Sequence, residues 1–142
     1  MSLSKKQRKE VWSKSGGVCW YCGQCLLEKG WHADHFEPLL RQHSYIRDMS
    51  KPIPTIKAVD TGISLYPQND HIGNMVPSCA PCNLFKAAFD VELFRQEIKA
   101  QIERLRKASS GFRIAERLGI IEGHESKDVV FWYEQQSINA NP

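Results

Sequence analysis

The sequence predicts a mixed α+β domain, and three features carry that expectation. Two cysteine pairs of the form C-x2-C stand far apart, Cys19/Cys22 and Cys79/Cys82. The stretch "DVELFRQEIKAQIERLRKA" has its apolar residues at helical spacing. "WHADHF" and, near the C-terminus, "DVVFWYE" instead have the composition of strands. A chain of 142 residues suits one domain. No repeat, linker or low-complexity tract divides it, so residues 1–142 are expected to form one unit.

Taken in order, "SKKQRKEVWSKS" is helix-compatible, with Val11 and Trp12 as its apolar contact and Gly16 and Gly17 to end it. "GVCWYCG" follows as a tight turn. "WHADHF" is extended, and Pro38 closes that strand. From about residue 40 to 70, Pro52, Pro54, Gly62 and Pro67 break any long element, which predicts an irregular surface insertion holding at most a short hairpin. Asp90 is the expected N-cap of the long helix, whose stripe of Leu93, Phe94, Ile98, Ile102 and Leu105 is read as core. A short helix, "GFRIAERLG", ends at Gly119, and "DVVFWYE" is expected to be a C-terminal strand, so that flanking helices and a strand occupy residues 90–134.

Charge is mildly basic, 19 Lys and Arg against 16 Asp and Glu, which permits a polyanionic partner without requiring one. The cations cluster, however. Lys5, Lys6, Arg8 and Lys9 crowd the N-terminus; Lys99, Arg104, Arg106, Lys107, Arg113 and Arg117 fall in one later stretch. No apolar run approaches the roughly 20 residues of a membrane span, and "MSLSKKQRKEVW" has no apolar signal core. The expectation is a soluble, cytoplasmic protein with no membrane partner. In such a reducing compartment an odd number of cysteines in close pairs is better explained by metal than by disulfides.

Two matched C-x2-C turns are what a tetrahedral four-cysteine zinc site needs, each turn presenting two thiolates about 2.3 Å from one ion. Cys25 leaves the pairing open, because "CGQC" is a second C-x2-C overlapping the first. Cys19 with Cys22 is preferred, since Gly23 then supplies the tight turn; Cys22 with Cys25 is the alternative. With all four positions filled, the ion has no site for water or substrate, so such a zinc is structural.

The remaining chemistry sits between the pairs. "WHADHFEP" places Asp34 beside His35 with His32 two residues earlier, "GNMVPSC" carries Asn74, and "CAPCNLFK" carries Asn83 and Lys86. The order C-x2-C, H-x-D-H, "GNMVPSC", C-N-x-x-K over residues 16–88 resembles the HNH endonucleases, the zinc-supported branch of the ββα-metal nucleases. The resemblance implies a ββα-metal core. It makes His35 the first histidine of the family's name and Asn74 the central asparagine, with Asn83 where many members carry the last histidine. It further implies that Asn74 ties the intervening loop to the first strand and so holds His35.

The chemical roles then follow. Asp34 and Asn83 offer a carboxylate and an amide oxygen suited to one Mg²⁺ or Mn²⁺, and His35 can take a proton from an attacking water near neutral pH. Asn83 and Lys86 share a helix face at i and i+3, and Lys86 joins His35 and Asn74 in the expected catalytic set. His32 is either a group supporting the site from behind or a structural strand histidine, and His43 and His71 are read as surface residues. The expected function is hydrolysis of phosphodiester bonds in DNA, with the basic stretches along the backbone. The alternative is a non-catalytic zinc module that binds nucleic acid or protein.

Overall fold

The computed structural model describes residues 3–50, 52–121 and 127–139. Helix α1, Lys5–Ser13, begins where the Ser4 hydroxyl accepts from the Gln7 amide and the Gln7 side chain accepts from the Ser4 amide, a capping box that satisfies two orphan donors. Gly16 and Gly17 then turn the chain with positive φ, as expected. At Gly17 the turn is so close that a Cβ would lie 2.8 Å from the Trp12 ring, so only glycine fits. Val11 is fully buried and Trp12 packs on Trp31 with ring centroids 5.4 Å apart.

Strand β1, His32–His35, pairs antiparallel with a distant strand, Met75–Ser78, which is β4 in chain order; Asp34 faces Val76 and His35 faces Met75. The chain leaves β4 directly into helix α2, Ala80–Lys86, which packs against β1. All of β4 is buried.

Between β1 and β4 the expected irregular insertion is instead a long hairpin, β2 Arg41–Asp48 with β3 Thr55–Ser64. The prolines explain the discrepancy. Pro52 and Pro54 fall in the tip between the strands, and Pro67 opens a single 3-10 turn, Pro67–Asn69, so none removes a ladder hydrogen bond. A second 3-10 turn, Ile72–Asn74, leads into β4.

Asp90 caps helix α3, Val91–Lys99, by accepting from the Leu93 amide, as expected. The predicted single helix breaks at Ala100, and α4, Gln101–Ala108, follows, with Arg104 clamping Glu97 across the break at 2.5 and 3.0 Å. Of its apolar stripe, Phe94 is buried and Ile98 packs on the core, but Leu93 and Leu105 are exposed. Helix α5 is Ser110–Arg117.

The expected C-terminal strand is a helix, α6 Trp132–Asn139, preceded by an irregular segment over residues 127–131. Two interactions decide this. The Glu134 carboxylate accepts from the Phe131 amide, half of a capping box. The amides of Trp132 and Tyr133 donate to the carbonyls of Tyr21 and Trp20, so the backbone is spent on the first cysteine turn rather than on a sheet edge. Phe131 then enters the core, stacked 5.3 Å from Phe94 and edge-on to Tyr21. Among the described residues no helix is long and apolar enough to cross a membrane.

Candidate metal centre and cleft

The sulfurs of Cys19, Cys22, Cys79 and Cys82 all lie within 4.8 Å of one another, and Cys22 and Cys79 approach to 3.8 Å. A tetrahedron with bonds of about 2.3 Å has edges of ~3.8 Å, so the cluster is placed to hold a metal ion such as zinc. Cys25 is exposed and outside it, its backbone bridged to Val18, so of the two pairings the sequence left open the cluster takes Cys19 with Cys22. Gly23 turns the loop at φ 73°, where a Cβ would come 2.7 Å from Trp132.

The thiols are electrostatically unequal. Cys19 is drawn down to about 4, chiefly by the hydrogen bond from Cys82 and further by amides of its neighbours. Cys22 is pushed up to about 11, first by burial. Cys82 is driven well up by the same bond to Cys19. Four thiolates this close repel one another, and a divalent cation relieves that repulsion.

The second site lies at the end of β1. Asp34 is 8% exposed, and its Oδ2 accepts from the Tyr21 hydroxyl at 2.6 Å and pairs with Lys86 Nζ at 3.2 Å. Lys86 is 0% exposed, and its Nζ also donates to the His35 carbonyl at 2.8 Å. Burial and the Asp34 charge push the Tyr21 phenol far above its ordinary value, which keeps it a donor. Asp34 Oδ1 has no hydrogen bond among the described residues.

His35 turns the other way, with Nε2 3.0 Å from Asp70 Oδ1. That hydrogen bond holds the Asp70 carboxyl below the ordinary carboxylate range. An ionised carboxylate only accepts, so His35 donates to it from Nε2, an arrangement that in the neutral ring leaves Nδ1 as the acceptor. Strand alternation sends Asp34 and His35 to different partners, yet β1 ends at His35 and both residues line one cleft of about 470 Å³. Leu40 and Ala87, the two non-glycine residues with positive φ among those described, are both in its wall. Such backbone strain, of order 1–3 kcal/mol each, collects where surrounding structure holds a site in shape.

Asn74 straps the loop behind His35. Its Oδ1 accepts from the Glu37 amide at 2.9 Å, and its Nδ2 donates to the carbonyls of Glu37 and Asn69 at 2.8 and 2.9 Å. Lys14 grips the same turn from the other side, donating to the carbonyls of Ile72, Gly73 and Met75. Asn83 is half-buried on α2, one turn before Lys86, and is not part of the cleft wall. His32 is exposed at the start of β1. Asp70, Tyr21 and Lys14 escaped the sequence reading. Tyr21 alone carried a signal, a large polar aromatic enclosed by the first cysteine turn; Asp70 lies in the stretch read as irregular, and Lys14 is one of several lysines in the first helical segment.

Half of the later basic stretch is paired within the chain: Lys99 with Asp128, Arg104 with Glu97, and Arg106 with Glu103 and Glu116. At the N-terminus, Lys5, Arg8, Lys9 and Lys29 line an open groove with Trp12 and Trp31, Arg8 lying 4.2 Å over the Trp31 ring. The chain matches no family model, and neither a curated protein nor a solved structure is significantly similar to it.

Proposed function

We propose that this chain is a metal-dependent endonuclease of the HNH type, a ββα-metal core supported by structural zinc on Cys19, Cys22, Cys79 and Cys82, that hydrolyses phosphodiester bonds in DNA. The observation that supports it most is His35, oriented by Asp70 through Nε2 and lining one cleft with Asp34. A base needs a free acceptor nitrogen, a fixed ring and an adjacent place for a charged substrate, and this arrangement supplies the three.

In this reading His35 Nδ1 takes a proton from the water that attacks phosphorus, and Asp70 stabilises the imidazolium that results. Asn74 fixes the chain on both sides of the pair, at Glu37 just after His35 and at Asn69 just before Asp70. Asp34 Oδ1 is the carboxylate oxygen that the cleft would offer to Mg²⁺ or Mn²⁺, an ion that retains several waters; Asn83, expected to be its partner, is not in the cleft wall. Bound there, the ion would stabilise charge developing on the phosphate and the leaving 3′ oxygen. Lys86 is wholly buried and cannot touch a phosphate, so it positions the site by holding the Asp34 carboxylate and the His35 carbonyl.

The test is cleavage of supercoiled plasmid by zinc-loaded protein with Mg²⁺ or Mn²⁺. His35→Ala should retain zinc and melting temperature yet cut at least about 100-fold more slowly, and Asp70→Asn should lose about 10-fold or more. Equal cutting by His35→Ala would refute the mechanism. A parent that cuts no nucleic acid would favour the non-catalytic zinc module.

A further inference from the structure

The hairpin β2–β3 leaves the cleft at its root, where Arg41 and His43 line the same wall as Asp34 and His35. Beyond that root nothing in the described residues covers it. Apart from Asp48, Val59 and Ser64, every residue of both strands is exposed, including Tyr45 at 75% and Ile56 at 77%. A two-stranded ribbon without a covering layer is marginal in water.

The register sorts its faces. His43 opposite Asp60, Tyr45 opposite Ala58 and Arg47 opposite Ile56 share one face; Ile46 opposite Lys57 lies on the other. Its acids are satisfied locally, Asp60 by Arg41 at 3.4 Å and Asp48 by the Ser50 amide and hydroxyl. Arg47 and Lys57 have no ion-pair partner among the described residues.

We infer that this hairpin is an arm that binds the DNA duplex flanking the point of cleavage, with Arg47 and Lys57 on phosphates and Tyr45 against the groove wall. Three arguments favour DNA over a second copy of the chain. The arm is continuous with the cleft, its free charge is positive, and a two-stranded ribbon fits the major groove, about 12 Å wide. From Arg41 to Asp48 the strand extends roughly 23 Å at ~3.3 Å per residue, about two-thirds of a duplex turn. The inference rests on reading the cleft as one that takes a phosphodiester.

The experiment measures binding of zinc-loaded protein, without added Mg²⁺, to a fluorescent 30-base-pair duplex and to one of 8 base pairs, too short to span cleft and arm. Arg47→Ala/Lys57→Ala should weaken binding to the long duplex about 10-fold. It should also lower the slope of log affinity against log salt by about 2, as expected for two phosphate contacts, while leaving the short duplex unaffected. Tyr45→Ala should weaken the long duplex alone.

Unchanged affinity and slope in the double variant would overturn the inference. So would a dimeric parent that Tyr45→Ala makes monomeric without changing DNA affinity, because the occupant would then be a second copy. The nuclease reading fails separately: a parent that never cuts plasmid but loses affinity in the double variant keeps the arm and removes the enzyme. A parent that cuts, beside a double variant with unchanged affinity, does the reverse.

Discussion

Replacing Lys86 with methionine isolates the buried ion pair that holds Asp34 in the cleft wall. Methionine keeps most of the side-chain volume but removes the ammonium, which donates to the His35 carbonyl at 2.8 Å and pairs with Asp34 at 3.2 Å. Lys86 and Asp34 are 0% and 9% exposed at their side chains, so solvent cannot replace the lost partner. The carbonyl loses its donor, at about 1–3 kcal/mol for an unsatisfied buried group, and the Asp34 carboxylate keeps only the Tyr21 hydroxyl. Breaking a buried pair from one side costs about 3–5 kcal/mol. With a urea slope of about 2 kcal/mol/M, the unfolding midpoint of zinc-saturated Lys86→Met should fall by roughly 2 M. Adding Asp34→Asn removes the stranded charge and should recover at least about 1 kcal/mol of that loss as coupling. A midpoint within about 0.5 M of the parent would show that Lys86 is not the buried partner of Asp34. Additive losses would show that the two side chains do not interact.

Serine at Cys19, Cys22, Cys79 or Cys82 should release zinc, measured by metal analysis, and unfold the domain, since a structural zinc contributes on the order of 10 kcal/mol. Cys25→Ser should keep both metal and melting temperature, because that side chain is exposed and outside the cluster. The clamp between α3 and α6 should give the fold a pH dependence in the acid range. Glu134 is held below its ordinary value chiefly by its hydrogen bond to Arg95, so its contribution is present above the unfolded carboxyl value and lost as pH falls through the folded one. Glu134→Gln should therefore destabilise by about 1–2 kcal/mol at pH 7, with the difference closing towards about pH 3 in urea melts.

The parts of the fold legible in the sequence are those fixed by short-range chemistry. The four clustered cysteines, the Ser4 to Ser13 region, the Asp90 cap and the strand around Asp34 each depend on a few adjacent residues. What misled is of two kinds. The prolines at 52 and 54 read as breakers because their place in a hairpin tip is set by a pairing register that local composition does not reveal. "DVVFWYE" has β composition, but Phe131 is drawn into the aromatic cluster of Tyr21 and Phe94, and Glu134 caps a helix. At the site, the resemblance brought out Asp34, His35, Asn74, Asn83 and Lys86, yet it did not reveal that Asn83 lies outside the cleft wall or distinguish a lysine that touches substrate from one that holds a carboxylate in the core. Asp70 was invisible for a related reason: its role exists only because a 3-10 turn at the end of the insertion returns it to His35.

The length of α2 ties the two centres together. Its 7 residues begin just after Cys79, include Cys82 and end at Lys86, the group that holds both Asp34 and the His35 carbonyl. Ala87 follows at φ 47°, a conformation that persists only while the helix end is held on one side and the cleft wall on the other. Releasing a metal from the cysteines frees the start of this helix, and so short an element has too few internal hydrogen bonds to keep its far end in register. The ammonium of Lys86 would then leave Asp34, and the cleft would lose its shape without any change to its own residues. If the chain is the proposed nuclease, loss of cutting in EDTA would be ambiguous, because a chelator would strip both a structural and a catalytic ion. Only the order of restoration separates them: zinc returned first should restore the melting temperature and no cutting, and Mg²⁺ added afterwards should restore cutting with little further effect on melting.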